Sequence, residues 1–196
     1  IQHQGQVAAY AFAGSAPGLV DQLFLDPKRP LLEQAVPMDL EPLNEGDVYA
    51  YVAERFERTG RDGGRALAPL VEFTRGHPQR SMLLAHELWR RTPAGTEADE
   101  GTWDAALHAV LAGLEELLHA SFSALSVNEQ RLATALARRP PSLRHQGTLQ
   151  LVGLRKGSVG TALEGLRARA DIREGDGVPR LTDPLLEHWL AERSRR

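Results

Sequence analysis

Residues Val7 to Ala13 read VAAYAFA, a continuous apolar run closed by Gly14-Ser15. A run of that length, bounded by Gly and then Ala16-Pro17-Gly18, suits a strand buried on both faces, as in a parallel sheet. A parallel strand needs neighbours, and one further candidate follows: Ala35-Val36-Pro37-Met38-Asp39-Leu40. Between them the pattern predicts a short helix over 18–25 and a break at Asp26-Pro27-Lys28-Arg29-Pro30. Strand, helix, strand is one right-handed crossover unit. Residues 1–43 are therefore expected to be the end of a larger α/β sheet. The opening Ile1-Gln2-His3-Gln4-Gly5 carries no cap or start signal and reads as a chain that begins mid-domain.

After Leu43 the periodicity becomes helical, so the chain as a whole is expected to be mostly α. Asn44 with Asp47 three residues on is an N-cap signature. Val48, Tyr51, Val52 and Phe56 then fall on one helical face. The turn-rich Thr59-Gly60-Arg61-Asp62-Gly63-Gly64 separates this helix from a second around 67–74. Gly76-His77-Pro78 precedes a third, with Met82, His86 and Trp89 at helical spacing. Residues 44–92 make a small helical domain, and the polar Thr92 to Gly101 reads as its linker.

A third unit spans 102–196. A long helix carries Trp103, Leu107, Val110, Leu114, Leu118 and Phe122 on its apolar stripe. Ser126-Val127-Asn128-Glu129 has the S-x-x-E form of a capping box, and Arg139-Pro140-Pro141 ends the helix it opens. Further helical pieces surround the turn at Leu151-Val152-Gly153-Leu154. Asp171 to Leu181 reads as two short strands around the turn Gly175-Asp176-Gly177. Asp183-Pro184 caps a last helix, with Pro at its favoured first position. Helix, helix, helix, hairpin is the winged-helix order.

Charge and composition narrow the function classes. The chain of 196 residues has 23 Lys+Arg against 26 Asp+Glu, which excludes a uniformly basic nucleic-acid coat and an acidic disordered tail. The balance is uneven: from Ser126 onward, 13 basic residues face 8 acidic ones. The basic excess therefore sits on the winged-helix unit, which is where a nucleic-acid surface would be. With no cysteine there is no disulfide framework or thiolate chemistry, which suits a reducing cytoplasm. No apolar stretch is long enough to span a membrane. The seven histidines are scattered without metal-ligand spacing, so no metal site is expected.

Three landmarks in one order carry a family resemblance: the strand ending AFAGS, the segment RGHPQRSMLLAHELW, and the ending LTDPLLEHWL. The chain resembles the C-terminal part of an AAA+/STAND-type P-loop ATPase, with the end of the α/β core, a helical lid and a winged helix. The Walker A pattern G-x-x-x-x-G-K-[ST] and the acidic strand end that holds Mg²⁺ are absent from this sequence. In the family both precede the strand at 7–13. The resemblance implies ATP and Mg²⁺ as cofactors, held mainly by such a preceding segment. It implies an ATPase parent, assembly into oligomers as an option, and a chain that alone lacks turnover.

The resemblance also assigns residues. Ser15 matches the sensor at the end of the strand, its hydroxyl facing the γ-phosphate or the attacking water; the plainer alternative is an N-cap at a strand-to-helix turn. Arg29 stands where ring-forming relatives carry an arginine finger, or in a solvated basic loop. Gly76, Pro78 and Arg80 match the G-x-P start of the lid helix and its phosphate-sensing arginine, at a helix N-terminus suited to anions. As an exposed side chain, Arg80 is expected to be replaceable by Ala within about 0.5 kcal/mol of stability. His77 is expected to be structural or solvent-facing. The rival reading is a DNA-binding regulator: Arg155, Lys156 and Ser158 open the helix that meets the groove, and Arg173 and Arg180 flank the wing. Glu174 and Asp176 on that wing repel phosphate, which leaves a protein partner or a docked winged helix as the third option.

Overall fold

The computed structural model describes residues 36, 38, 40–143, 146–174 and 177–195. The strand over 7–13, with Ser15 and Arg29, lies outside the described residues. So do Ala35, Pro37 and Asp39 of the second strand candidate. Its described members Val36, Met38 and Leu40 belong to no strand and are 82–92% exposed.

The described chain is mostly helical. Helix α1 (Glu45–Glu57) starts where Asn44 stops the extended chain: its Oδ1 accepts from the backbone N–H groups of Gly46 and Asp47 at 2.8 and 3.3 Å. That satisfies two of the four donors a helix start leaves free. Helices α2 (Leu67–Thr74) and α3 (Pro78–Arg91) complete the first unit. Val48, Val52 and Phe56 bury against a core that includes Leu67, Leu70, Leu84 and Leu88. Tyr51, expected inside, is 46% exposed. On α3 the buried face is Ser81, Leu84, Ala85 and Leu88, while Met82 and His86 face outward. The sequence contains both stripes at helical spacing, and the leucine stripe buries more apolar surface.

Residues 92–99 are an ordered strap rather than a free linker. Thr92 is buried and its hydroxyl donates to the Leu88 carbonyl at 2.8 Å, while the Arg61 Nε donates to the Thr92 carbonyl at 2.7 Å. Asp62 and Glu97 form a parallel bridge, with the Ala98 N–H donating to the Asp62 carbonyl at 2.8 Å. Ala98 is fully buried.

Helix α4 (Glu100–Ser123) follows, 24 residues capped by Asp99. At 1.5 Å per residue it is about 36 Å long. It packs on α3 and also reaches the last helix, so both units rest on it. The second unit comprises α5 (Val127–Ala137), α6 (Gln146–Leu151), α7 (Val159–Ala168), β1 (Ile172–Arg173), β2 (Arg180–Leu181) and α8 (Pro184–Arg193). The capping box is complete: the Ser126 Oγ accepts from the Glu129 N–H, and the Glu129 carboxylate accepts from the Ser126 N–H at 2.7 Å. The strands pair antiparallel, with Ile172 opposite Leu181 and Arg173 opposite Arg180. Ile172 and Leu181 join Leu132, Leu166, Leu185 and Trp189 in a core continuous with that of the first unit. Among the described residues no helix is long and apolar enough to cross a membrane.

Candidate functional site

The start of α3 is where the two units meet. Gly76 has φ +71°, the left-handed region that glycine enters without strain. A Cβ there would lie 2.0 Å from the Leu43 carbonyl oxygen, because the segment leading into α1 crosses directly over it; the Leu43 N–H donates to the Gly76 carbonyl at 2.9 Å. Gly76→Ala should therefore destabilise the fold by about 2–3 kcal/mol, combining a strained backbone with a displaced segment. Chemical denaturation of the variant checks this, and a loss below about 0.5 kcal/mol would place the segment elsewhere.

Pro78 occupies the first turn of α3, and His77 is its N-cap, its Nδ1 accepting from the Arg80 N–H at 3.4 Å. Burial, the largest influence on His77, holds its pKa below the ordinary 6.5. The imidazole is accordingly neutral near pH 7 and can accept that bond.

Arg80 is not an exposed cation. Its guanidinium grips Asp183 on both edges, Nε to Oδ1 at 3.1 Å and Nη2 to Oδ2 at 2.6 Å. Their side chains are 11% and 25% exposed. The same Oδ1 caps α8, accepting from the Leu185 and Leu186 N–H groups at 2.9 and 3.4 Å. One carboxylate thus joins α3 to the last helix. The partner lies 103 residues away in the chain, and nothing in the local spelling of either segment announces the pairing.

A cleft of about 330 Å³ opens beside this junction. Its lining includes His77 and Pro78 from the start of α3, Arg75, and Arg173, Glu174 and Arg180 from the hairpin. Arg173 and Arg180 sit directly opposite each other in the ladder, and both are exposed. Like charges at opposed positions are destabilising. Two carboxylates share the lining with them: Glu174, which pairs with the Arg167 Nε at 2.6 Å, and the exposed Glu41. The cleft thus gathers residues expected separately, Pro78 for nucleotide and Arg173 and Arg180 for nucleic acid, around a helix N-terminus that favours anions. Among the described residues no group of three or more His, Asp or Glu is placed to hold a metal ion.

Arg155, Lys156 and Ser158 are not part of this cleft. Arg155 precedes a 3₁₀ turn over Lys156–Ser158 that leads into α7. Arg155 and Lys156 are exposed, and neither pairs with a carboxylate among the described residues. No protein-family model, curated protein or solved structure matches this chain.

Proposed function

We propose that this chain is the lid and winged-helix part of a nucleotide-dependent ATPase switch of the AAA+/STAND kind, in which a phosphate of ATP or ADP enters the cleft at the start of α3. The opposed Arg173 and Arg180 beside that helix N-terminus carry the reading: an entering anion relieves their repulsion and lies at the positive end of the α3 dipole. Arg80 has a different part from the one the resemblance gave it. Held by Asp183, it ties the second unit to the lid, so whatever moves α3 is transmitted to α8. ATP supplies the γ-phosphate whose loss changes the charge in the cleft. The chain's own residues bind and sense that charge, and hydrolysis belongs to the Walker motif this sequence lacks.

The test is ADP titration by calorimetry of the wild type, R173A/R180A and R155A/K156A. Removing two charge-assisted contacts should weaken ADP by tenfold or more in the first variant, as a rough scale, and leave the second unchanged. Equal ADP affinity in wild type and R173A/R180A would remove the nucleotide from this cleft. The exposed, unpaired Arg155 and Lys156 favour a second reading, a DNA-binding regulator. On that reading R155A/K156A lowers the salt slope of duplex binding by about 0.9 for each lost phosphate contact.

A further inference from the structure

A separate cleft of about 560 Å³ lies between the ends of α2, α5 and α8, within the size range of small-molecule sites. Four arginines line it: Arg75, Arg138, Arg139 and Arg195. They face one lining carboxylate, Glu187, which is buried. Arg75 and Arg139 clamp that carboxylate from two sides, Nη2 to Oε2 and Nε to Oε1, each at 2.8 Å. Both clamping residues end a helix with a positive φ, +50° and +49°. Non-glycine residues held there store strain, a feature of ligand clamps and switch regions.

Of the other two arginines, Arg138 has no carboxylate partner among the described residues. The Arg138 Nη2 donates to the neutral Ser194 carbonyl at 2.7 Å, and Arg195, 73% exposed, pairs with Glu192 outside the lining. The Arg75 Nη1 is cut off from solvent and has no acceptor among the described residues. A buried donor without an acceptor calls for a missing partner such as a water or an ion. Beneath the arginines the floor is apolar and aromatic: Phe73 lies edge-on to the His188 ring at 5.6 Å, with Pro184 and Ala191 beside them. Burial lowers the His188 pKa, so its ring adds an uncharged face.

We propose that this cleft binds a small phosphorylated molecule, its phosphate held by Arg138, Arg139 and Arg195 and its apolar body resting on Phe73 and Pro184. A phosphate monoester carries close to two negative charges at neutral pH and presents several acceptor oxygens, matching the two-charge excess of four guanidinium groups over the carboxylates Glu187 and Glu192. Glu187 is a positioning residue: it fixes the clamping guanidinium groups before the ligand arrives, which reduces the ordering cost of binding. The proposal is independent of the nucleotide reading above, since the arginines it removes line a different cleft from Arg173 and Arg180.

Calorimetric titration with phenyl phosphate, inorganic phosphate and a short DNA duplex tests it, on wild type, R138Q/R195Q and R173A/R180A. The exposed positions of Arg138 and Arg195 keep the fold intact, which circular dichroism verifies, and Arg195→Glu alone serves as a second variant. Phenyl phosphate should bind more tightly than inorganic phosphate, lose about tenfold or more in R138Q/R195Q and in R195E, and hold its affinity in R173A/R180A. Equal binding of phenyl phosphate to wild type and R138Q/R195Q would overturn the proposal. So would duplex affinity that falls in R138Q/R195Q while phenyl phosphate shows no saturable binding, since the cleft would then be a contact for the DNA backbone.

Discussion

Asp183→Ala is expected to destabilise the chain by about 3–5 kcal/mol, because it strips the partner from a largely buried guanidinium. The loss includes the α8 cap, itself worth about 1 kcal/mol. Arg80 would keep its charge in a site from which water is mostly excluded, with no other carboxylate among the described residues in contact with it. Asp183→Asn separates the two contributions, since an amide oxygen still caps the helix but no longer neutralises Arg80; its cost should fall between those of wild type and alanine. A cycle with Arg80→Ala completes the measurement. Urea unfolding should show the double variant to be less destabilised than the sum of the singles. Strict additivity would mean that the two side chains do not sense each other in solution.

Glu187→Ala should cost about 3 kcal/mol, chiefly through the largely buried Arg75, since the Arg139 side chain is 64% exposed and regains water. The carboxylate is 6% exposed and meets Arg75 and Arg139 together. Without it the two guanidinium groups face one another, and Arg75, already short of an acceptor at Nη1, loses its contact at Nη2 as well. Glu187→Gln keeps one acceptor oxygen and should lose less. Thermal unfolding provides the comparison, and a shift no larger than that of an ordinary surface substitution would show that solvent replaces the carboxylate freely.

What could be read in the sequence follows from how far apart the interacting groups are. Asn44, the Ser126–Glu129 box and Asp183-Pro184 all satisfy backbone donors within three residues, and each stands where its spelling put it. The helix order and the short hairpin were legible for the same reason. Arg80 was not, because its surroundings are set by Asp183, and neither was the Arg75–Glu187–Arg139 clamp, whose first two members are 112 residues apart. Periodicity marked the helices from Glu45 onward but could not choose between two stripes on α3, and the apolar spelling of 35–40 put no strand at Val36, Met38 or Leu40. The polar, Pro- and Gly-bearing composition of residues 92–101 suggested a joint. Backbone hydrogen bonds to Asp62, which no composition encodes, make it a strap.

That strap and the helix it leads into bear on the mechanics of the chain. A beam about 36 Å long, anchored in one unit near its beginning and touching the other near its end, resists bending along its length. The Trp189 indole donates to the Glu115 carboxylate at 2.8 Å, and the Trp189 ring sits edge-on to Phe122 at 5.9 Å, so the far end is fastened as well. Two further ties, Arg80–Asp183 and Arg75–Glu187, join the units away from the beam, beside the start of α3. The second unit is thus fixed at separated points, like a plate bolted at its corners, and a displacement at the start of α3 loads both of those ties at once.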